Sequence, residues 1–115
     1  MVLWIGFELQ AEIEAGGDSN WTALHFAARF VKEAVAAQLL QAGASVSAVN
    51  DNNSTPLHTA AFYGKSSIAN LLLQANASPT SVDKYGRTSS QYAKQRGHGE
   101  LAVMLLESEQ AAALK

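Results

Sequence analysis

Thr55-Pro56-Leu57-His58-Thr59-Ala60-Ala61 has a counterpart 33 residues earlier, Thr22-Ala23-Leu24-His25-Phe26-Ala27-Ala28. Laid over each other without a gap, residues 18–50 and 51–83 agree at 16 of 33 positions. A fixed period of this size marks a stacked repeat architecture, in which each unit is one supersecondary element that needs its neighbours. The residues of one unit say what that element is. Thr55 suits an N-cap, its hydroxyl accepting from an amide two or three residues on. Pro56 then fits the first helical position, where its missing N–H costs nothing and its fixed φ is already helical. Leu57, Ala60 and Ala61 form the apolar stripe of a short helix, with alanines small enough for close helix approach. Gly64 ends that helix in the left-handed region. A second helix over about residues 66–75 carries Ile68, Leu71, Leu72 and Leu73. Asn76 stops it as Gly43 stops the one before. From there to Gly86 the chain is turn-rich and extended.

This block resembles the ankyrin repeat, with its 33-residue period and T-P-L-H-x-A core. The resemblance covers residues 18 to about 108. It implies an all-α solenoid of stacked helix-turn-helix units with β-hairpin or loop fingers. The expected divisions are an N-terminal capping helix over 1–17, repeats over 18–50 and 51–83, and a C-terminal capping repeat over 84–115. Stacking should build a continuous core from Leu24, Leu39, Leu40, Leu57, Leu72, Leu73, Leu105 and Leu106. The resemblance also implies that His25 and His58 bond to backbone groups and tie one repeat to the next. That leaves no catalytic triad to assemble. No phosphate-binding glycine pattern is present either. The expectation is a non-enzymatic chain with no cofactor and no metal.

The third unit keeps the register and loses the motif: Thr88-Ser89-Ser90-Gln91 stands where Thr-Pro-Leu-His stood. Polar Ser90, Gln91 and Lys94 suggest the solvent-facing side of a terminal repeat, so the array is expected to end here. No Gly or Asn follows Leu106, so the last helix should run on through residues 107–114. In the first repeat Val31 occupies the turn position of Gly64 and Gly97. A β-branched residue is a genuine outlier at positive φ, so this turn is expected to be rebuilt with φ negative. The N-terminal segment carries two apolar stripes, Val2, Ile5, Leu9 and Ile13 on one side and Trp4, Phe7, Ala11 and Ala15 on another. One stripe can cover the first repeat. The other is a candidate dimer contact through Leu3, Trp4 and Phe7, a fully buried helix, or the cut edge of a longer array.

Net charge is −2 with a pI near 5.8, which gives no electrostatic case for nucleic acid. The charge is uneven. Residues 8–18 carry Glu8, Glu12, Glu14 and Asp18 without a base, and residues 84–96 carry Lys84, Arg87, Lys94 and Arg96 without an acid. The absence of cysteine excludes disulfides, zinc-thiolate sites and thiol catalysis. The first nine residues are too short for a membrane span and poor as a signal peptide, so no membrane insertion is expected. The four Asn-x-Ser/Thr triplets, at Asn20, Asn52, Asn53 and Asn76, are then chance matches. The expected location is intracellular, cytoplasmic or nuclear, or an organelle after import.

Stacks of the resembled kind bind with the concave side, through finger tips and the exposed ends of the first helices. Carried over position by position, the finger residues are Asp18, Ser19 and Trp21, then Asp51, Asn52 and Ser54, then Lys84, Tyr85 and Arg87. The helix residues are Arg29 and Phe30, Phe62 and Tyr63, and Gln95 and Arg96. Aromatic residues and Arg are what interface hot spots favour. Phe30, Phe62 and Tyr63 are the expected apolar anchors, with Lys84, Arg87 and Arg96 as a basic end. The leading expectation is an adaptor for a protein or peptide partner. The alternative is a self-associating module, a homo- or heterodimer built through the apolar N-terminal helix. A regulatory attachment within a larger enzyme or channel is a third.

Overall fold

The computed structural model describes residues 21–30 and 33–113. The expected N-terminal cap, the candidate dimer contact, the finger residues Asp18 and Ser19 and the turn at Val31 lie outside the described residues. Among the described residues there are six helices and no strand: α1 (Ala23–Arg29), α2 (Glu33–Gln41), α3 (Pro56–Tyr63), α4 (Ser66–Gln74), α5 (Ser89–Gln95) and α6 (Gly99–Ala113). Helices α1, α3 and α5 stack on one another as an inner row, α2 packs on α4 behind them, and α6 covers α5. The last helix does run on past Leu106, as the missing stop signal requires.

Local chemistry sets the ends. Thr22, Thr55 and Thr88 each accept a bond from the amide three residues on, and the side chain there accepts a returning bond from the Thr amide. That side chain is a histidine in α1 and α3 and Gln91 in α5, a variation on the usual capping box. Gly64, at φ +72°, closes α3 in the left-handed region. It has a second reason to be glycine, since a Cβ there would come within 2.7 Å of the His98 ring. Asn76 and Gly43 are left-handed behind the outer helices, as their sequence positions suggest.

Small residues make the inner row possible. Ala27, Ala28, Ala60, Ala61 and Ala93 are fully buried, and Leu24, Leu57, Ile68, Leu72 and Leu105 fill the space around them. Leu39, Leu40 and Leu73 pack against this core only partly buried. Leu106 departs from expectation: it is 43% exposed. Leu101, Ala102 and Leu105 form the buried stripe of α6, and Leu106 lies about 100° further round the helix, beside exposed Val103.

The fingers are paired turns rather than regular hairpins. In the first, the Asn50 side-chain oxygen accepts from the amides of Asn52 and Ser54, and Asn53 turns the chain at φ +58°. In the second, one Asp83 oxygen accepts from Tyr85 and Arg87, and Gly86 turns the chain at φ +74°. The Lys84 amide donates to the Asn52 carbonyl at 2.9 Å, which ties the two fingers side by side.

Candidate functional site

The histidines bridge one repeat to the next. Nδ1 of His25 accepts from the Thr22 amide, which leaves Nε2–H to donate to the Ser54 carbonyl at 2.7 Å. His58 does the same, accepting from Thr55 and donating to Arg87 at 2.9 Å. Each accepting carbonyl also closes its own finger, taking the amide of Asn50 or of Asp83. Both nitrogens of each ring are therefore engaged in the neutral form. Burial, the largest influence, holds both imidazoles below the usual histidine range, against the carbonyl bonds that favour a proton. These are framework groups, with no free nitrogen for a metal or a proton transfer.

Just past the paired alanines, the inner helices end in side chains that leave the core. Arg29, Gln95 and Arg96 are exposed, Phe30 is 40% exposed, and Phe62 and Tyr63 are half-buried. The Arg29 guanidinium lies 4.9 Å from the Phe30 ring centre, 5.4 Å from that of Tyr63 and 5.8 Å from that of Trp21. Tyr63 meets Phe62 edge to face at 4.9 Å, and the Arg96 guanidinium stands 4.5 Å over Phe62. The sequence Arg29–Tyr63–Phe62–Arg96 is thus a continuous run across all three repeats. Each such cation–ring pair contributes about 0.5–1 kcal/mol at an exposed site.

Below this run, Trp21, Asn50, Asn52, Ser54, His58, Thr59, Phe62, Tyr63 and Tyr92 line a groove of about 200 Å³. Trp21 is fixed there by Phe26, at 5.1 Å between ring centres. A second hollow is lined by Tyr85, Gly86, Arg87, Gln91, Lys94 and Gln95. The expected residues therefore fall into groups. Trp21, Asn52, Ser54, Phe62 and Tyr63 share the groove, while Arg29, Phe30 and Arg96 join through ring contacts. Tyr85, Arg87 and Gln95 belong to the second hollow, with the Lys84 ammonium 5.2 Å from the Tyr85 ring. Asp51 is exposed on the first finger and lines neither. The expected basic end divides, because Arg96 stacks on Phe62 and lines neither hollow.

The expected residues omit Asn50, Thr59 and Tyr92 from the groove, and leave Asp83 and His98 without these roles. Tyr92 holds the repeat position of Thr59 and Phe26, and donates its hydroxyl to Asp83. Burial pushes the Asp83 carboxyl up, but bonds from Tyr92, Arg87 and Tyr85 outweigh it and leave the group below the usual carboxylate range. The Tyr92 phenol is raised by burial and by the same carboxylate. His98 Nε2 reaches back to the Phe62 carbonyl at 3.2 Å, a second tie between repeats. The available signal was positional: Asn50 and Asp83 are one period apart, and both are residue types that cap tight turns.

Among the described residues no helix is long and apolar enough to cross a membrane. No curated protein matches the chain. A family model described as ankyrin repeats in three copies matches residues 5–83 and 38–114. With the period, the helix pairs and the histidine bridges already in place, these overlapping matches settle the family: the chain belongs to the ankyrin repeats.

Proposed function

We propose that this chain is a non-enzymatic interaction module that binds a protein or peptide partner across the face carrying Trp21, Arg29, Phe30, Phe62, Tyr63 and Arg96. The fingers flank that face with Asp51, Asn52, Ser54, Lys84, Tyr85 and Arg87, and Gln95 lies at its far end. Ankyrin repeats are generally protein–protein interaction modules. The observation that carries the reading here is the run of rings and guanidinium groups across three repeats. Neither core packing nor turn geometry requires aromatic residues or Arg at these positions, and both residue types are enriched in hot spots. The test is to select ligands for the wild-type chain from a displayed library and titrate them against Phe30→Ala plus Tyr63→Ala. Affinity should fall at least about tenfold, or 1.4 kcal/mol, with the fold retained. Unchanged affinity would remove this face from consideration.

A second reading is self-association. It is favoured by exposed Lys84, Arg87, Lys94 and Arg96, whose charge complements the acidic residues 8–18. A dimer seen by light scattering that Trp4→Glu converts to monomer would promote it. A monomer throughout the concentration range would dismiss it.

A further inference from the structure

The face proposed above has a charge pattern that specifies its ligand more narrowly. Among the described residues no ion pair joins Arg29 or Arg96 to a carboxylate. Each guanidinium lies over a ring instead. Both residues are exposed, and a guanidinium carries a forked pattern of N–H donors that matches a planar acceptor. Between the two cations sit the half-buried Tyr63 and Phe62 rings, an apolar platform.

Resting on that reading of the face, we propose that Arg29 and Arg96 form a two-cation clamp for an extended acidic segment of a partner protein. One carboxylate docks on each guanidinium, and an apolar side chain lies on the Tyr63–Phe62 pair between them. The run of contacts sets an upper limit on the spacing. Arg29 to Tyr63 is 5.4 Å, Tyr63 to Phe62 is 4.9 Å and Phe62 to Arg96 is 4.5 Å. An extended chain rises about 3.3 Å per residue and presents every second side chain to one face. Side chains at i, i+2 and i+4 therefore cover the run, with acids at the ends and an apolar residue in the middle. Lys84 and Arg87, over Tyr85 in the neighbouring hollow, add positive charge to the repeat that carries Arg96.

The experiment uses the full chain and three fluorescent peptides. One has Glu at i and i+4 around a central Leu, the second has Gln at both ends, and the third has Lys. Anisotropy should give the Glu peptide at least about tenfold tighter binding than the Gln peptide, with the Lys peptide weakest. Arg29→Gln and Arg96→Gln should each weaken the Glu peptide about fivefold and leave the Gln peptide unchanged. Arg29→Lys, which keeps the charge and loses the planar fork, should recover only part. Circular dichroism confirms that these exposed substitutions leave the helices intact. If Glu and Gln peptides bind alike, and Phe30→Ala plus Tyr63→Ala still removes both, the clamp is overturned while the binding face stands. A library-selected ligand that carries no acid and binds the same face overturns it too. Selected ligands indifferent to every one of these substitutions remove the face and the clamp together. Stronger competition by a single-stranded oligonucleotide would assign the cations to another class of partner. A wild-type dimer that Arg29→Gln dissolves, and that a peptide of residues 8–18 blocks, would make the occupant a second copy and overturn the outside partner.

Discussion

Residues 51–83 and 84–113 carry the same fold with different means of joining it to a neighbour. Both open on a threonine cap, and both bring buried alanine to the inner row. In the first, His58 closes the cap with one nitrogen and crosses to the Arg87 carbonyl with the other. In the second, Gln91 closes the cap at 2.8 Å and stays within it. Leu57 fills the core between units, whereas Ser90, at the matching position, is also buried and spends its hydroxyl on Glu109 of α6. The difference teaches that the cap and the bridge are separable functions of one side chain. A repeat keeps its shape with the first and transmits its position with the second.

That contrast can be broken most forcefully at the matching core positions. Leu57→Ala should destabilise the chain by about 3 kcal/mol in urea unfolding, and Ser90→Ala by about 1 kcal/mol. Equal losses would mean that the two units share one core chemistry. Next in size is His58→Gln, which copies the Gln91 cap and removes the inter-repeat donor to the Arg87 carbonyl. A cost of about 1–3 kcal/mol is expected. No cost would make the bridge incidental.

Acid sharpens the same comparison. Burial keeps His25 and His58 neutral in the folded chain, whereas an unfolded histidine takes its proton near pH 6.5. The unfolded state binds more protons below that pH, so stability falls with pH there and levels off once the folded imidazoles are protonated. The wild type should lose stability between pH 7 and 5, and His58→Gln should lose less, because one of the two titrating bridges is gone. The smallest effect has the opposite sign. Ser89 takes the place of Pro56 at the first helical position, and its buried hydroxyl has no hydrogen-bond partner. Ser89→Pro should stabilise the chain by about 1 kcal/mol through a stiffer unfolded state and a removed buried polar group.

The fold was legible because its determinants are local and periodic. Thr55, Pro56, Gly64 and Asn76 each carry a backbone preference that any reader of one unit can state, and the 33-residue period repeats the statement. Leu106 was misplaced because the repeat pattern gives an apolar residue its register and says nothing about whether a neighbour covers it. Ser90 was expected to face water. It is buried instead and donates to Glu109, which lies a helix away and follows no repeat rule. At the candidate face, the positions could be carried over but their grouping could not. Arg96 and Lys84 read alike as a basic end, yet one stacks on Phe62 and the other on Tyr85. Tyr92 was passed over because its link to Asp83 joins a helix to a finger, a distance that periodicity does not encode.

The central claim is that framework and recognition occupy different side chains of the same helix, His58 facing the neighbouring repeat and Tyr63 the partner. The direct measurement is calorimetric titration of one library-selected ligand into wild type, His58→Gln and Phe30→Ala plus Tyr63→Ala, at a temperature where all three are folded. The account predicts near wild-type affinity for His58→Gln despite its lower stability, and at least a tenfold loss for the double variant. Full affinity in the double variant, or a comparable loss in His58→Gln, would contradict it.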